Sequence, residues 1–578
     1  MRNAQVAGLL NKIADILELK SENSFKIRAY HEAARRIESL PEDIAVVARE
    51  DRLKDIQGVG GSIAEKIHEF LETGRSGYLE ELEKSIPPGM LELLQIPGVG
   101  AKKAQLFFEE LGITTLDQLE EAARGHRLRK LPGMHEKTEE NVLVGIQRLR
   151  EAGQRLLLGT ALPAAEEVIE LLRPRNEIIR AQTCGSIRRM KETIGDMDIL
   201  AASNEPAAAI AAFVSLPVVK LTLARGPTKA SILTHADLQI DLRVVSPEQY
   251  GAALQYFTGS KDHNIQLRSL AERHGLKVNE YGVFRVRDSE RIAGETEEDV
   301  YRALGLDWMP PELRERTGEI EAAASGALPK LVELEDITGD LHAHTDWSDG
   351  ADTLEAMGQA ARDRGYEYLV ISDHSVSMGF VRGLTVERIA EQRRRIQVLN
   401  AQTPGFRLLA GIEVNIRSDG TLDYPDDVVA QFDVVTASIH SGLSQNGEKI
   451  TSRMIAAIEN PHVDVIGHPT GRLIGKRQPC ELDMEAILEA AARTGTALEV
   501  NSQPDRLDLK DSQIRLAKRL GVTIAVNSDA HSAGQLGFVR YGLGTARRGW
   551  IERENVLNTL PTSDLLKRLK RKGLSRAA

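Results

Sequence analysis

The sequence predicts a multidomain chain with an all-α N-terminal unit, an α+β middle and a C-terminal α/β unit. Residues 1–150 alternate short amphipathic helices with tight Gly-containing turns and have almost no β-branched runs. Residues from about 155 to 315 mix helical segments with apolar runs such as IIRAQTCGS, DMDILAA and LQIDLRVV. From about 337 onward, short apolar runs alternate with helical segments, the rhythm of a parallel sheet or barrel. The stretch Gly318–Asp336 is rich in small residues and then acidic, and reads as a linker. The expected units are therefore 1–150, 151–315 and 337–578, with 316–336 between the last two.

A chain of 578 residues with 42% hydrophobic and 28% charged residues is neither largely disordered nor collagenous. Its longest uncharged run, Pro206 to Val219, carries two prolines and is shorter than the ~20 residues that span a bilayer. The N-terminus is amphipathic with internal charges, unlike a signal peptide. Two cysteines, Cys184 and Cys480, exclude a disulfide framework or a Cys-rich zinc ribbon and suit a reducing cytoplasm. A net charge of -11 argues against bulk affinity for nucleic acid. A basic groove can still sit on an acidic molecule, so the motifs must decide.

The first unit contains a repeat. Ile56-Gln57-Gly58-Val59-Gly60 precedes the helix SIAEKIHEFLE, and Ile96-Pro97-Gly98-Val99-Gly100 precedes AKKAQLFFEEL. Paired glycines ahead of a helix allow a tight hairpin whose backbone N–H groups, with the helix dipole behind them, grip a phosphate without reading sequence. An ordinary helix corner would need the same glycines once; two copies point to DNA-backbone binding by Gly58, Gly60, Gly98 and Gly100. A third version, Leu131-Pro132-Gly133, lacks the second glycine.

The middle unit holds a first chemical centre. Cys184-Gly185-Ser186-Ile187-Arg188-Arg189 precedes Gly195-Asp196-Met197-Asp198. Two aspartates at i and i+2 of a strand share a face and can share divalent cations. The Gly-Ser turn offers N–H groups and a hydroxyl, and Arg189 offers a phosphate fork. Asp241 in LQIDLR supplies a third carboxylate from another strand, completing a two-metal site for in-line attack on phosphate.

These motifs, followed by YGAALQYFTGSKDHNIQLRSLAERHGLKVNEYGVF, resemble the palm and thumb of a family X DNA polymerase. The tandem hairpins extend the resemblance over about residues 1–315. It implies that Asp196, Asp198 and Asp241 hold two Mg²⁺ ions. It implies that Gly185, Ser186, Arg189 and Gly195 hold an incoming deoxynucleoside triphosphate, with Tyr256, Phe257 and Gly259 against its sugar. Asn264 and Arg268 should reach minor-groove edges and the template. Lys26 and Tyr30 match positions that accompany a deoxyribose-phosphate lyase, and Lys66 matches its Schiff-base lysine. Two other 5′-phosphate lysines are replaced by Ser62 and Tyr78, and Lys66 also suits any solvated helix face.

The last unit concentrates histidine. His342, His344, His374, His440, His468 and His531 nearly all follow apolar runs, with Asp349, Glu413 and Asp529 beside them. That places N and O donors at the C-terminal ends of successive strands, where an α/β barrel assembles its site, in numbers sufficient for three transition-metal ions. The pattern resembles the PHP (polymerase and histidinol phosphatase) superfamily over about 337–575, with every ligand position filled. The resemblance implies a distorted seven-stranded barrel and metal-dependent phosphoester hydrolysis, with Mn²⁺, Zn²⁺ or Fe²⁺ suited to the ligands.

The expectation is a bacterial DNA-directed polymerase that fills short gaps during repair, with a 3′–5′ exonuclease or phosphodiesterase in its C-terminal unit. Its substrates would be gapped or nicked duplex DNA and deoxynucleoside triphosphates, with no membrane partner. It would act as a monomer at the nucleoid, alongside repair proteins. The rivals are a non-templating nucleotidyltransferase fused to a phosphatase, and a polymerase whose C-terminal barrel is purely structural.

Overall fold

The computed structural model describes residues 3–569 except 21, 39–43, 57, 88, 95, 97–98, 153–154 and 377–381. The N-terminal unit is helical throughout and packs around two apolar cores, one within residues 6–82 and one drawn mainly from residues 90–146. At the first hairpin Gly58 has φ +90°, a conformation that only glycine adopts freely. The Val59 N–H donates to the Ile56 carbonyl at 2.9 Å, and Gly60 caps the helix Gly61–Thr73. The second hairpin repeats this, with Val99 N–H to Ile96 O at 2.9 Å and Gly100 capping Ala101–Leu111. Val59 and Val99 are buried, so each loop is pinned to its core by one side chain. Gly98 lies outside the described residues.

The palm is a five-stranded sheet in the order Arg180–Thr183, Met197–Ala202, Gln239–Val245, Lys229–Thr234, Val219–Arg225. Its two central strands run parallel, which sets Asp198 directly opposite Asp241. Period-2 alternation sends Met197, Ile199, Ile240, Leu242 and Val244 into the core and leaves the carboxylates on the other face.

The thumb packs the helices Tyr250–Thr258, Lys261–Arg273 and Glu297–Ala303 against a three-stranded antiparallel sheet. The segment read as a linker is not one. Residues Glu319–Ala324 form a helix whose Ile320 and Ala323 join the thumb core. Glu319 is fully buried and accepts a hydrogen bond from the His263 ring at 2.8 Å. Small residues permitted this close packing, where composition alone suggested a tether.

The C-terminal unit is a sheet of seven parallel strands in sequence order, from Gly339–Ala343 to Ile524–Asn527. The first reaches the last through a parallel bridge between Ala343 and Ala530, with His344 N–H donating to Ala530 O at 2.8 Å, so the sheet nearly closes into a barrel. Strands covered on both faces read as continuous apolar runs, as YLVI does at 368–371. The barrel and the palm also share apolar packing. Leu507 and Tyr541 belong to the palm core, and a Cβ on Gly159 of the palm would meet Pro504 at 2.4 Å.

Candidate active sites

In the palm, Asp198 lies on the Met197–Ala202 strand, while Asp196 is exposed one residue before it, so the pair is not borne wholly on the strand as the spacing suggested. Gly185 has φ +62° and opens the short helix Gly185–Arg188; a Cβ there would stand 3.5 Å from Asp198 Oδ2. The Gly-Ser turn and the carboxylates are thus held against one another. Burial pushes the Asp198 carboxyl up, and the charges of Asp241 and Asp196 add to it. Burial also acts on Asp241, but hydrogen bonds from Lys229, Gln239 and Ser231 outweigh it and hold the group below its ordinary value. Lys229 Nζ stands 2.9 Å from Asp241 Oδ2, and Gln239 donates to Oδ1 at 3.1 Å. Sequence reading missed Lys229, because only the neighbouring hairpin strand carries it there. Carboxylates that repel one another on a half-open face suit divalent cations.

Around this centre, Arg189 donates to Glu315 at 2.9 Å and to the Thr258 carbonyl. Gly259, at φ +69°, leaves room for that guanidinium, since a Cβ would come 3.2 Å from its Nη1. Tyr256 and Phe257 meet edge to face at 5.2 Å, and Arg243 covers the Phe257 ring at 4.6 Å. Gly195 abuts Arg155, and Arg268 is exposed on its helix. Asn264 also makes contacts within the chain. Its amide accepts from Gln255 and donates to the Tyr256 carbonyl, both at 2.8 Å, so it braces the helix end bearing Tyr256.

The N-terminal unit carries a cavity of about 610 Å³ bounded by Lys26, Tyr30, Lys54, Gly58, Gly60 and Ser62. Lys54 was not foreseen. Lys66 donates to the Ser62 carbonyl at 3.0 Å and to its hydroxyl at 2.9 Å, and lies 4.6 Å from the Tyr78 ring.

In the barrel, all the histidines and carboxylates singled out in the sequence converge at one end. His440 and His468 bring Nε2 to 3.2 and 3.1 Å from Glu413 Oε1, and His374 Nδ1 lies 2.8 Å from Glu413 Oε2. His344 Nε2 is 3.1 Å from Asp529, and Asp349 is 3.5 Å from His531 and 3.6 Å from His374. His342 Nε2 faces Glu413 at 3.5 Å and Asp529 at 3.7 Å. Three sets of ligand atoms each cluster tightly enough for one ion: His344, Asp349, His374, His531; then His342, His344, Asp529; then His374, Glu413, His440. Buried donor atoms of His342, His344, His374, His440, His468 and Glu413 lack hydrogen-bond partners, which is costly unless something else binds them. This donor set fits divalent metal ions.

The electrostatics agree. Burial opposes a charged His342, yet Glu499, Asp529 and Glu413 raise it well above the ordinary imidazole value. Glu413 is buried too, but His440, His374 and His342 drive it well below the usual carboxylate range. Two of the candidate ligands sit on strained backbone, His468 at φ +26° and Asp529 at φ +51°. The structure adds Glu499, fully buried, which accepts from His342 Nδ1 at 2.7 Å and from the His468 N–H at 2.6 Å. It also adds Arg506, whose Nε lies 3.9 Å from Asp529. Glu499 sits in the middle of the strand Ala497–Asn501, and a lone carboxylate within that apolar run is the one signal that could have found it.

Fold and sites together define a nucleotidyltransferase palm and thumb joined to a divalent-metal phosphoesterase barrel. Family models match residues 1–76 (helix-hairpin-helix domain), 90–148 (SAM-like helix-hairpin-helix tandem), 253–315 (DNA polymerase beta thumb) and 340–503 (PHP domain). The DNA polymerase/3′-5′ exonuclease PolX of Bacillus subtilis is 40% identical over 99% of this chain and 100% of its own length. The chain belongs to that PolX family. Probable phosphatases of Thermoanaerobacter and Shewanella oneidensis are 32% and 30% identical over 38% of this chain, covering 89% and 87% of their own lengths. Among the described residues no helix is long and apolar enough to cross a membrane.

Proposed function

We propose that this chain fills short gaps in duplex DNA at the palm and removes nucleotides from 3′ ends at the barrel. The observation that carries the reading is the pairing of Asp198 with Asp241 on adjacent parallel strands, against the Gly185–Ser186 turn. Divalent cations held by Asp196, Asp198 and Asp241, with Mg²⁺ the expected species, would acidify the primer 3′-hydroxyl and neutralise the triphosphate. The chain supplies the rest. The Gly185–Ser186 turn presents N–H groups and a hydroxyl to phosphate oxygens, Arg189 offers its fork, and Tyr256 and Phe257 form an edge-to-face wall for the sugar. The hairpins at Gly58–Gly60 and Gly98–Gly100 hold backbone phosphates, so the substrate is chosen by its gap and not its sequence. The cavity at Lys26 lies beside the first hairpin and suits a 5′-phosphate.

At the barrel, His342, His344, Asp349, His374, Glu413, His440, His468, Asp529 and His531 would hold up to three ions. Imidazole-rich ligation favours Mn²⁺, Zn²⁺ or Fe²⁺ there, supplying an activated water and charge neutralisation at the scissile phosphate. Arg506 stands where it can hold a phosphate oxygen beside them. The enzyme is read as a monomer working at the nucleoid with repair proteins.

The test is a pair of single substitutions in the full chain on gapped, 3′-labelled DNA. Asp241→Asn should abolish extension and leave Mn²⁺-dependent shortening, and His344→Ala should do the reverse. Substantial extension by Asp241→Asn would overturn the palm assignment. Undiminished shortening by His344→Ala would leave the barrel a structural role.

A further inference from the structure

The barrel sends one arginine into the back of the palm's nucleotide site. Arg548 ends the helix Val539–Arg548 and is almost fully buried. Its guanidinium donates to the Arg189 carbonyl at 2.8 Å and to Glu315 Oε1 at 3.0 Å. It also makes a two-pronged contact with Asp511 at 2.6 and 3.0 Å. Glu315 Oε1 is the same atom that accepts from Arg189 Nε at 2.9 Å. One carboxylate oxygen is therefore shared between an arginine of the palm and an arginine of the barrel. Burial raises the cost of charging Glu315, and Arg548 and Arg189 more than repay it, holding the carboxyl ionised. The helix comes this close because Gly544 has no side chain; a Cβ there would meet Met190, the residue after Arg189, at 2.6 Å.

We infer that Arg548 is a positioning residue for nucleotide binding: it holds Glu315 so that Arg189 can leave that carboxylate for the triphosphate. The inference rests on the reading of Arg189 as a phosphate ligand. When Arg189 turns to phosphate, the largely buried Glu315 would lose its direct partner unless a second cation remains beside it. Arg548 is that cation, itself anchored by Asp511. Without it, Arg189 is the direct ion-pair partner left to Glu315, with Lys191 acting by charge alone, and the carboxylate grips Arg189 harder. Nucleotide affinity then falls although nothing touching the nucleotide has changed. The barrel thereby contributes to polymerisation through an ion pair, independently of its own metal centre.

The experiment measures equilibrium binding of the complementary deoxynucleoside triphosphate to full-length enzyme on one-nucleotide-gapped DNA with a dideoxy-terminated primer. Arg548→Ala should weaken nucleotide binding by about tenfold, within the usual range of site-to-site coupling, with DNA affinity and 3′-end hydrolysis unchanged. Arg548→Lys, which keeps a charge near Glu315, should fall between. Glu315→Gln in the Arg548→Ala background should restore binding to within about threefold of the parent, because the competing carboxylate is gone. If the double variant stays as weak as Arg548→Ala, or if Arg548→Ala binds nucleotide normally, the inference is overturned and Arg548 merely packs. Unchanged binding by Arg189→Ala would instead sink the reading of Arg189, and this inference with it.

Discussion

Glu499 lies behind the candidate metal ligands of the barrel, in contact with His342 and His468. Its Oε1 accepts from His342 Nδ1 and Asn527, and its Oε2 from the His468 N–H and Asn501. Such a partner fixes the ring's orientation and tautomer and raises its basicity toward a metal. Glu499→Gln should lower Mn²⁺ affinity about 10- to 100-fold, as outer-shell losses do, while gap filling persists. A competitive chelator titration reads it, and unaltered affinity would reduce Glu499 to packing. Residue type and strand-end position singled out in sequence the histidines and carboxylates that the fold brings together. Glu499 was not among them, because in ALEV it reads as one polar residue interrupting a buried strand. Asn264 is the converse case: its type suited a base edge, and only the fold shows that its amide also bonds Gln255 and the Tyr256 carbonyl.

Among the elements, the joint between palm and thumb turns on Glu297, at the start of its helix. It bonds Arg188 of the palm at 2.6 and 2.7 Å and the fully buried Arg314 at 2.6 Å. Burial alone would raise its pKa, but Arg314 and Arg188 lower it from 4.5 to about 2. A depressed carboxylate stabilises the fold fully above its unfolded pKa and loses that contribution as pH falls toward the folded one. Glu297→Gln should therefore cost on the order of 3 kcal/mol near neutral pH, by leaving two buried guanidinium groups without their anion. The deficit relative to the parent should shrink as pH drops from 4.5 toward about 2. Denaturant melts followed down through that window check it; a pH-independent deficit would mean lost packing. The hairpins and the palm strands were readable at this scale, since each shows a repeat or an alternation. The helix at Glu319–Ala324 was not, because alanines and glycines look alike in a tether and in a tight joint.

At the scale of the whole molecule, the division into palm and barrel is true of topology and false of packing. Leu507 and Tyr541 sit in the palm core, and Arg472 of the barrel pairs with Glu192 of the palm at 2.7 Å. Produced alone, a fragment from residue 337 onward would expose these apolar side chains and strand its arginines. It should unfold at lower temperature than the barrel does within the full chain. Mixed with residues 1–336, it should regain that stability by re-forming the joint. Calorimetry on the fragment, the mixture and the full chain measures this, and equal melting of fragment and full chain would show that the contact contributes nothing. Sequence could not reveal the shared core, for Leu507 and Tyr541 look like any other apolar residues of their own unit.

The shared core also bears on inheritance. A lineage that no longer needs hydrolysis could lose the barrel's clustered histidines and carboxylates one codon at a time, because none of them belongs to the shared palm core. It cannot delete the gene segment for the barrel, since the palm would then lose Leu507, Tyr541 and Arg548 together. Descendants of such a chain would keep a catalytically silent barrel as a fossil wall of the polymerase.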